Sequence, residues 1–119
     1  MRLNLARQSV RFRVHDWSMA PAFVPGDIIR VALPIASGAT PRRGDAIVFW
    51  DPEMRGRKLL KRVESVESGK GSVKVFVIGD NALRSRDSRH FGSVPIEQVI
   101  GRVVETCLPA SRSVGGQST

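Results

Sequence analysis

The sequence is almost without cysteine, which limits the chemistry it can carry. Cys107 is the only cysteine among 119 residues and cannot form an internal disulfide. No spacing of cysteine and histidine fits a zinc site, and we expect neither a metal nor a cofactor. His15 and His90 could in principle join Cys107 as a thiol protease pair, but no local signature accompanies them. We therefore interpret Cys107 as a buried structural thiol.

Long apolar runs are also missing. The longest, residues 46–50, is far too short to span a bilayer. Residues 1–8 lack the continuous apolar stretch of a signal peptide. We therefore expect no anchor and no signal peptide in this chain, and a location that is cytoplasmic or peripheral to a membrane.

Tyrosine is absent, whereas positive charge is abundant. The formal net charge of +8 favours anionic partners such as nucleic acid, a phospholipid surface or an acidic protein. No run of basic residues is interleaved with aromatic residues, which argues against nucleic-acid binding. Two interpretations stay open: peripheral contact with an anionic membrane surface, and a solvated basic surface that aids solubility.

Short apolar segments bounded by turn residues predict six or seven β-strands and little helix. The first strand alternates Val10, Phe12 and Val14 with arginines. The other strands are predicted over residues 28–33, 46–50, 59–67, 72–78 and 99–106. This pattern is typical of a mainly β antiparallel barrel or sandwich. We expect one domain over residues 10–108, a lead-in over 1–9 and a disordered tail over 109–119.

Residues 79–95 follow neither the period of a strand nor that of a helix. The segment is rich in Gly, Asn and Asp, which suit turns, and in Ser and Arg, which hydrogen-bond well. A loop of this length in a small domain is usually functional or disordered, and the predicted strands on both sides argue for order. A helical turn is expected at residues 95–98.

Lys61 is the most informative single position. Period-two geometry puts it on the same face as Leu59 and Val63, although Leu60 blurs the pattern. Burial disfavours the ammonium form and lowers the pKa of lysine, so that a buried lysine can act as a general base. The alternative is a lysine whose stem packs while its amine reaches water.

Ser18 lies in a break between two predicted strands, with Pro21 fixing the exit of the turn. A hydroxyl there could attack a carbonyl, with its own backbone N–H as an oxyanion donor. A serine in a turn is more often structural. The candidate buried Lys61 makes Ser18 notable, because serine–lysine pairs are a known variant of nucleophile activation.

Four segments together identify a resemblance to the signal peptidase I family, whose serine–lysine proteases share a mostly β fold with the self-cleaving repressor proteases. The matching segments are residues 18–21 with Gly26 and Asp27, residues 44–49, residues 61–63, and residues 79–95 with Gly101 and Arg102. Each motif alone is weak. The ordered set, which covers most of residues 10–105, is specific, and residues 79–95 are its most specific part.

The resemblance implies a role for each matching residue. Ser18 would be the nucleophile and Lys61 the general base, with Ser85 hydrogen-bonding the lysine amine. Asp87 and Arg89 would form an ion pair that holds the loop. Further roles fall to Asp80 and Asn81, which would shape the loop entry, and to Trp17, Met19 and Pro21, which would line the substrate cleft.

The sequence departs from the family at Asp16, where members usually carry glycine or serine. A carboxylate facing a developing oxyanion would oppose catalysis. We therefore predict that Asp16 points away and leaves the oxyanion hole to backbone N–H groups. Trp17 is also unusual, and we expect it to cap the core rather than to touch substrate or membrane.

The resemblance further implies a serine endopeptidase that removes an N-terminal leader from a precursor protein. A short chain of this layout is similar to the proteases that mature nickel-type superoxide dismutase. The near alternative is a signal peptidase domain that processes exported precursors. Two others remain: a repressor-type module that cleaves itself, and a basic β-barrel that binds nucleic acid with strong salt dependence.

Overall fold

A computed structural model describes residues 8–33 and 40–110. Seven strands dominate: β1 (Ser9–Arg13), β2 (Ile28–Ala32), β3 (Ala46–Trp50), β4 (Lys58–Gly69), β5 (Ser72–Ile78), β6 (Val94–Pro95) and β7 (Val99–Leu108). One short helix, α1 (Ser88–Phe91), and two 3₁₀ turns, Ala82–Arg84 and Ile96–Gln98, complete the described elements. The mainly β prediction is confirmed.

All seven strands belong to one antiparallel sheet in the order β1-β2-β7-β3-β4-β5-β6. The C-terminal strand β7 lies between β2 and β3 and joins the two halves of the sheet. Strand β4 is shared along its length, because its first residues pair with β3 and its later residues, from Arg62 onward, pair with β5. The residues of β4 before Arg62 are therefore paired with β3 and not with β5.

Strand β3 is buried on both faces, which explains its unbroken apolar sequence. Ile47 and Phe49 point into one core cluster, whereas Val48 points into the other. The first cluster is completed by β4, β5, Val94 and Val99, and the second by Val14 and strand β2. Alternation along one central strand thus divides the core into two.

The same alternation places Lys61. Leu59 and Val63 belong to the first cluster, and Leu60 packs against the second. Lys61 shares the face of Leu59 and Val63, as the pattern predicts, and only 2% of its surface is exposed. The apparent irregularity at Leu60 arises because both faces of this part of β4 are covered by apolar residues.

The segment 79–95 contains more regular structure than an irregular loop. Helix α1, one 3₁₀ turn and the short strand β6 all lie within it. The lead-in residues 1–7 and the expected tail from 111 onward lie outside the described residues. Within the described part of the chain, we find no helix whose length and apolar content would let it cross a membrane.

Candidate active site

The serine turn, residues 16–23, follows β1 and is closed by main-chain hydrogen bonds. The N–H of Ala20 donates to the Trp17 carbonyl at 3.1 Å, and that of Phe23 donates to the Met19 carbonyl at 3.0 Å. Ser18 is 3% exposed and Met19 is 1% exposed. A polar hydroxyl is therefore held at the buried side of a tight turn.

Asp16 does not point away from Ser18, and our expectation for it was wrong. Its Oδ1 accepts the Ser18 N–H at 3.0 Å. The cause is local: an Asp side chain readily accepts the backbone N–H two residues further on, as in an Asx-turn. The N–H expected to serve as an oxyanion donor is thus bound to a carboxylate.

The brace, residues 79–92, donates hydrogen bonds to the serine turn. The backbone N–H of Asn81 donates to the Ser18 carbonyl at 2.8 Å, and its Nδ2 donates to the Trp17 carbonyl at 3.0 Å. The N–H of Asp80 lies 3.4 Å from the Met19 sulfur, a weak acceptor. These contacts fix the serine turn from segments some sixty residues away along the chain.

Gly79 is where the brace comes closest to the serine turn. A Cβ at this position would collide with the Ser85 side chain and would lie 2.7 Å from the Ser18 carbonyl oxygen. Only glycine lets the three residues approach one another this closely. The one signal of this role in the sequence is the Gly-Asp-Asn run at residues 79–81.

Asp87 is the hydrogen-bonding centre of the brace. It is fully buried and accepts Arg89 Nε at 2.9 Å, Arg89 Nη2 at 2.7 Å, the Ser85 hydroxyl at 2.6 Å and the Gly79 N–H at 2.8 Å. Burial alone would raise the pKa of Asp87, but the hydrogen bonds from Arg89, Ser85 and Gly79 outweigh it and hold the pKa well below its usual range. The predicted ion pair with Arg89 is present in the structure.

The Ser85 hydroxyl therefore has a different partner from the one predicted. It donates to Asp87, because a carboxylate is the stronger acceptor, and no hydrogen bond joins Ser85 to Lys61 in the described part of the chain. The Ser85 oxygen still has lone pairs with which it can accept a hydrogen bond from an amine.

Helix α1 forms because Asp87 caps it. The Asp87 side chain accepts the Arg89 N–H at 3.2 Å, while His90 Nδ1 accepts the Asp87 N–H at 3.1 Å. These two side chains, three residues apart, thus accept hydrogen bonds from backbone N–H groups at the start of the helix, as in a capping box. The helix also brings Ser88 to β5, where its hydroxyl accepts the Val77 N–H at 2.9 Å.

Asp80 anchors the entry of the brace to β4. Its two carboxylate oxygens accept Arg62 Nε at 2.8 Å and Nη2 at 2.7 Å, and Arg62 Nη1 also donates to the Gly44 carbonyl at 2.9 Å. This two-point geometry fixes direction as well as distance. The strand that carries Lys61 is thereby tied to the brace at the adjacent residue.

Lys61 has the environment of a lysine that gives up its proton easily. Burial lowers its pKa, and Asp16, Asp87 and Asp51 raise it without restoring its ordinary value, while Arg57 lowers it. In the described residues no hydrogen bond joins the amine to the Ser18 hydroxyl.

Two adjoining cavities connect the serine and the lysine. The larger, about 540 Å³, is lined by Ser18 and Met19 and by residues of β1 and β4. The smaller, about 300 Å³, is lined by Lys61 together with Asp51, Glu53, Arg84 and Arg86. Both share Asp16, Arg57 and Leu59, which lie at their junction.

The larger cavity lies between two stretches of backbone. One is the end of β1 with the residues after it, 12–16, and β1 is an edge of the sheet. The other is the start of β4, residues 58–60, which pairs with β3 on one side, while pairing with β5 begins only at Arg62. Across the mouth, the Lys58 amine lies 5.8 Å from the ring centre of Phe12. An extended peptide fits between such edges.

Two residues predicted for the substrate cleft line neither of these two cavities. Pro21 is exposed, and Trp17 is 50% exposed, so Trp17 does not cap the core as expected. Its main-chain carbonyl accepts a hydrogen bond from Asn81 Nδ2. Met19, in contrast, lines the larger cavity. The described residues contain no cluster of side chains suited to a metal ion.

Comparison with protein families gives a match along nearly the whole described chain. A model described as signal peptidase, peptidase S26, matches residues 5–69 and 64–108. The chain belongs to the signal peptidase S26 family. The match includes Ser18, Lys61 and the brace in one ordered set.

Individual relatives of the family are similar to the chain at moderate identity. A mitochondrial ATP-independent inner membrane protease subunit 1b of Arabidopsis thaliana is 34% identical over 113 residues, covering 77% of this chain and 66% of that protein. A probable signal peptidase I-1 of Synechocystis is 29% identical over 135 residues, covering 80% and 69%. A signal peptidase I of Bacillus caldolyticus is 62% identical over 29 residues, which is 24% of this chain and 16% of that protein. The chain thus spans about two-thirds of the first two.

Proposed function

We propose that this chain is a serine endopeptidase in which Ser18 and Lys61 form a catalytic dyad that removes an N-terminal leader from a precursor protein. The observation that carries the proposal is the lowered pKa of the buried Lys61 amine, in a cavity that adjoins the cavity at Ser18. Lowering the pKa of a lysine increases the fraction of uncharged amine, the form that can accept the proton of a serine hydroxyl. Membership of the S26 family supports the same chemistry.

The reaction proceeds in two halves. Ser18 Oγ attacks the carbonyl carbon of the scissile bond while Lys61 Nζ takes the hydroxyl proton. As the C–N bond breaks, the ammonium returns that proton to the leaving amine, and an ester to Ser18 remains. Water then attacks the ester, Lys61 accepts its proton, and the leader departs with a new carboxylate while Ser18 is restored.

An extended substrate accounts for the shape of the larger cavity. Backbone edges at residues 12–16 and 58–60 offer hydrogen bonds to a peptide strand, and the apolar floor accepts alternate side chains. A strand in this cavity approaches Ser18 at one end. The arrangement therefore suits a flexible leader better than a folded surface.

The brace supports the dyad without reacting itself. We assign Asp87 and Arg89 the task of holding Ser85, whose free lone pair orients the lysine amine once substrate binds. Asp80 and Asn81 keep the brace in contact with β4 and with the serine turn. All of these are positioning residues.

Two precursor classes are candidates for the substrate. One is the precursor of nickel-type superoxide dismutase. An exported precursor is favoured by the relatives named signal peptidase I. Incubating the protein with each precursor side by side, and following the shortened product by mass spectrometry, decides between them.

We also propose that the protein contacts an anionic membrane surface, on the basis of its charge and its exposed apolar side chains. The net charge of +8 and the exposed Trp17 and Leu83 favour peripheral contact with an anionic membrane surface. Vesicles containing anionic lipid are expected to retain the protein, and purely zwitterionic vesicles are not.

Variants of the dyad test the catalytic assignment. Ser18→Ala and Lys61→Ala should abolish cleavage with the fold intact, and Lys61→Arg should fail as well, because a guanidinium keeps its proton. Cleavage at a near-normal rate by Lys61→Ala would exclude the mechanism.

Lys61→Met separates catalysis from stability. The folded-state pKa of Lys61 is lower than its unfolded value, so the charged amine destabilises the fold below that folded pKa, and the penalty fades as pH rises toward the ordinary lysine value. Methionine removes the penalty at similar volume. We expect an inactive protein whose thermal midpoint at neutral pH is raised, measured by calorimetry. A lowered midpoint would mean that Lys61 is a structural residue.

A further inference from the structure

Asp16 occupies the hydrogen-bond donor that the proposed reaction needs. Its Oδ1 lies 3.0 Å from the Ser18 nitrogen. In the transition state the former carbonyl oxygen of the substrate carries negative charge and must be met by an N–H next to the nucleophile. A carboxylate and an oxyanion cannot share one N–H, since both are negative acceptors.

The same carboxylate lies at the junction of the two cavities. Asp16 lines the cavity that contains Ser18 and also the one that contains Lys61. Charged groups facing this junction include Arg57, which lines both cavities, and the Lys61 amine, whose pKa Asp16 raises. Asp16 is itself solvent-exposed, so its side chain has room to rotate outward.

The serine turn does not depend on Asp16 to keep its shape. The Ser18 carbonyl is held by the Asn81 N–H, and two further main-chain bonds close the turn at Trp17 and Met19. The hydrogen bond from Ser18 N–H to Asp16 is therefore one contact among several. It differs from the other contacts because it occupies the Ser18 N–H, the donor that the proposed reaction needs.

We propose that Asp16 is a positioning residue that acts as a latch: in the resting protein its carboxylate closes the oxyanion donor of Ser18, and entry of a substrate strand displaces it before acyl transfer. The inference rests on the proposed function of Ser18 and Lys61. Its chemical consequence is that the resting site is closed to adventitious carbonyl groups. Only a peptide that fills the cavity between β1 and β4 opens it.

The latch predicts a gain of activity on mutation. Asp16→Ala should raise kcat/KM toward the precursor roughly 10- to 100-fold, the factor that corresponds to release of one charge-assisted hydrogen bond. The rise should appear mainly as a lower KM, because the substrate no longer has to displace the carboxylate when it enters. Asp16→Asn retains an oxygen acceptor for the Ser18 N–H and should give a smaller rise.

Asp51→Asn is the matched control. Asp51 also raises the pKa of Lys61, but it makes no contact with the Ser18 N–H. Its removal should shift the acidic limb of the pH profile of kcat/KM to lower pH without raising the plateau. The two Asp16 variants should shift the limb in the same direction, and Asp16→Ala should raise the plateau as well.

A second measurement does not depend on catalysis. In the wild-type protein the Ser18 amide proton should resonate downfield in a ¹⁵N-resolved spectrum, as expected for an N–H bound to a carboxylate, and Asp16→Ala should move it upfield. An unmoved Ser18 amide overturns the proposal whether or not a precursor is cleaved. So does a plateau kcat/KM of Asp16→Ala no higher than that of the wild type. Cleavage that survives in Ser18→Ala instead overturns the proposed function.

Discussion

The brace and the serine turn lie against each other, yet they are held by different kinds of interaction. The brace is organised around a buried carboxylate, Asp87, with charged and backbone donors on both of its oxygens. The serine turn has only main-chain bonds and the Asp16 contact of its own. Its Trp17 and Ser18 carbonyls accept hydrogen bonds from Asn81 of the brace. The brace therefore positions the serine turn, which carries the proposed nucleophile Ser18, and the Asp16 contact beside it can open without disturbing the brace.

Gly79→Ala should disrupt the contact between the brace and the serine turn, and we expect it to have the largest effect on activity. The new methyl group collides with Ser85 on one side and meets the Ser18 carbonyl at 2.7 Å on the other, so the serine turn and the brace are forced apart. Misplacing a nucleophile by about 1 Å can cost on the order of 100-fold in rate. We expect kcat/KM toward the precursor to fall at least that far, with a destabilisation of about 1–3 kcal/mol from overpacking.

The control for this variant is Gly69→Ala at the end of β4. A Cβ there meets only the Ser72 hydroxyl at 3.4 Å, an ordinary contact. Activity and thermal midpoint should remain those of the wild type. Normal kinetics in Gly79→Ala would show that the serine turn is not held in place by the brace.

Asp87→Ala should weaken the brace itself. The change leaves the Gly79 N–H, the Ser85 hydroxyl and the Arg89 guanidinium without their shared acceptor. Arg89 is 42% exposed and can turn to water, so the main cost is that of the unsatisfied Ser85 hydroxyl and Gly79 N–H, about 1–3 kcal/mol each, measured as the free energy of unfolding in urea. Cleavage should also slow, because Ser85 is released while Ser18 is chemically unchanged.

The pH dependence of stability sharpens the assignment to Asp87. Its folded-state pKa is lower than its unfolded value, so its contribution is complete above the ordinary carboxyl range and is lost as pH falls through and below that range. Asp87→Ala should lack this part of the acid destabilisation. Glu53→Gln, which removes an exposed ion pair with Arg86, should leave the free energy of unfolding nearly unchanged. Equal losses in the two variants would argue against Asp87 as the centre of the brace.

The sequence predicts the parts of this molecule that depend on local period. Alternation locates the strands and assigns Lys61 to the face of Leu59 and Val63, because side chains in a strand must point to opposite sides. Helix α1 was missed although its signal is local: Asp87 and His90 have the three-residue spacing of a capping box.

Other features of the site arise only where distant segments meet. The collision that excludes a side chain at Gly79 involves Ser18 and Ser85, which fold against it from both directions along the chain. The choice of Ser85 to donate to Asp87 follows from the geometry of a buried loop, and no one-dimensional pattern encodes it. Asp16 is the opposite case. Its contact with the N–H two residues further on could be predicted from the sequence, but on functional grounds we expected Asp16 to point away.

Asn81→Ala tests the contact between the two regions with the smallest change. It removes the hydrogen bond from Nδ2 to the Trp17 carbonyl but keeps the one from the Asn81 N–H to the Ser18 carbonyl. Asn81 then donates one hydrogen bond to the serine turn instead of two. One neutral hydrogen bond contributes about 0.5–1.5 kcal/mol, and we expect a loss of stability in that range with a few-fold decrease in kcat. Leu83→Ala is the control, because that side chain belongs to the brace but is 97% exposed. In a membrane-free assay Leu83→Ala should match the wild type, whereas a kcat equally unaffected in Asn81→Ala would mean that the Asn81 backbone bond to Ser18 alone positions the serine turn.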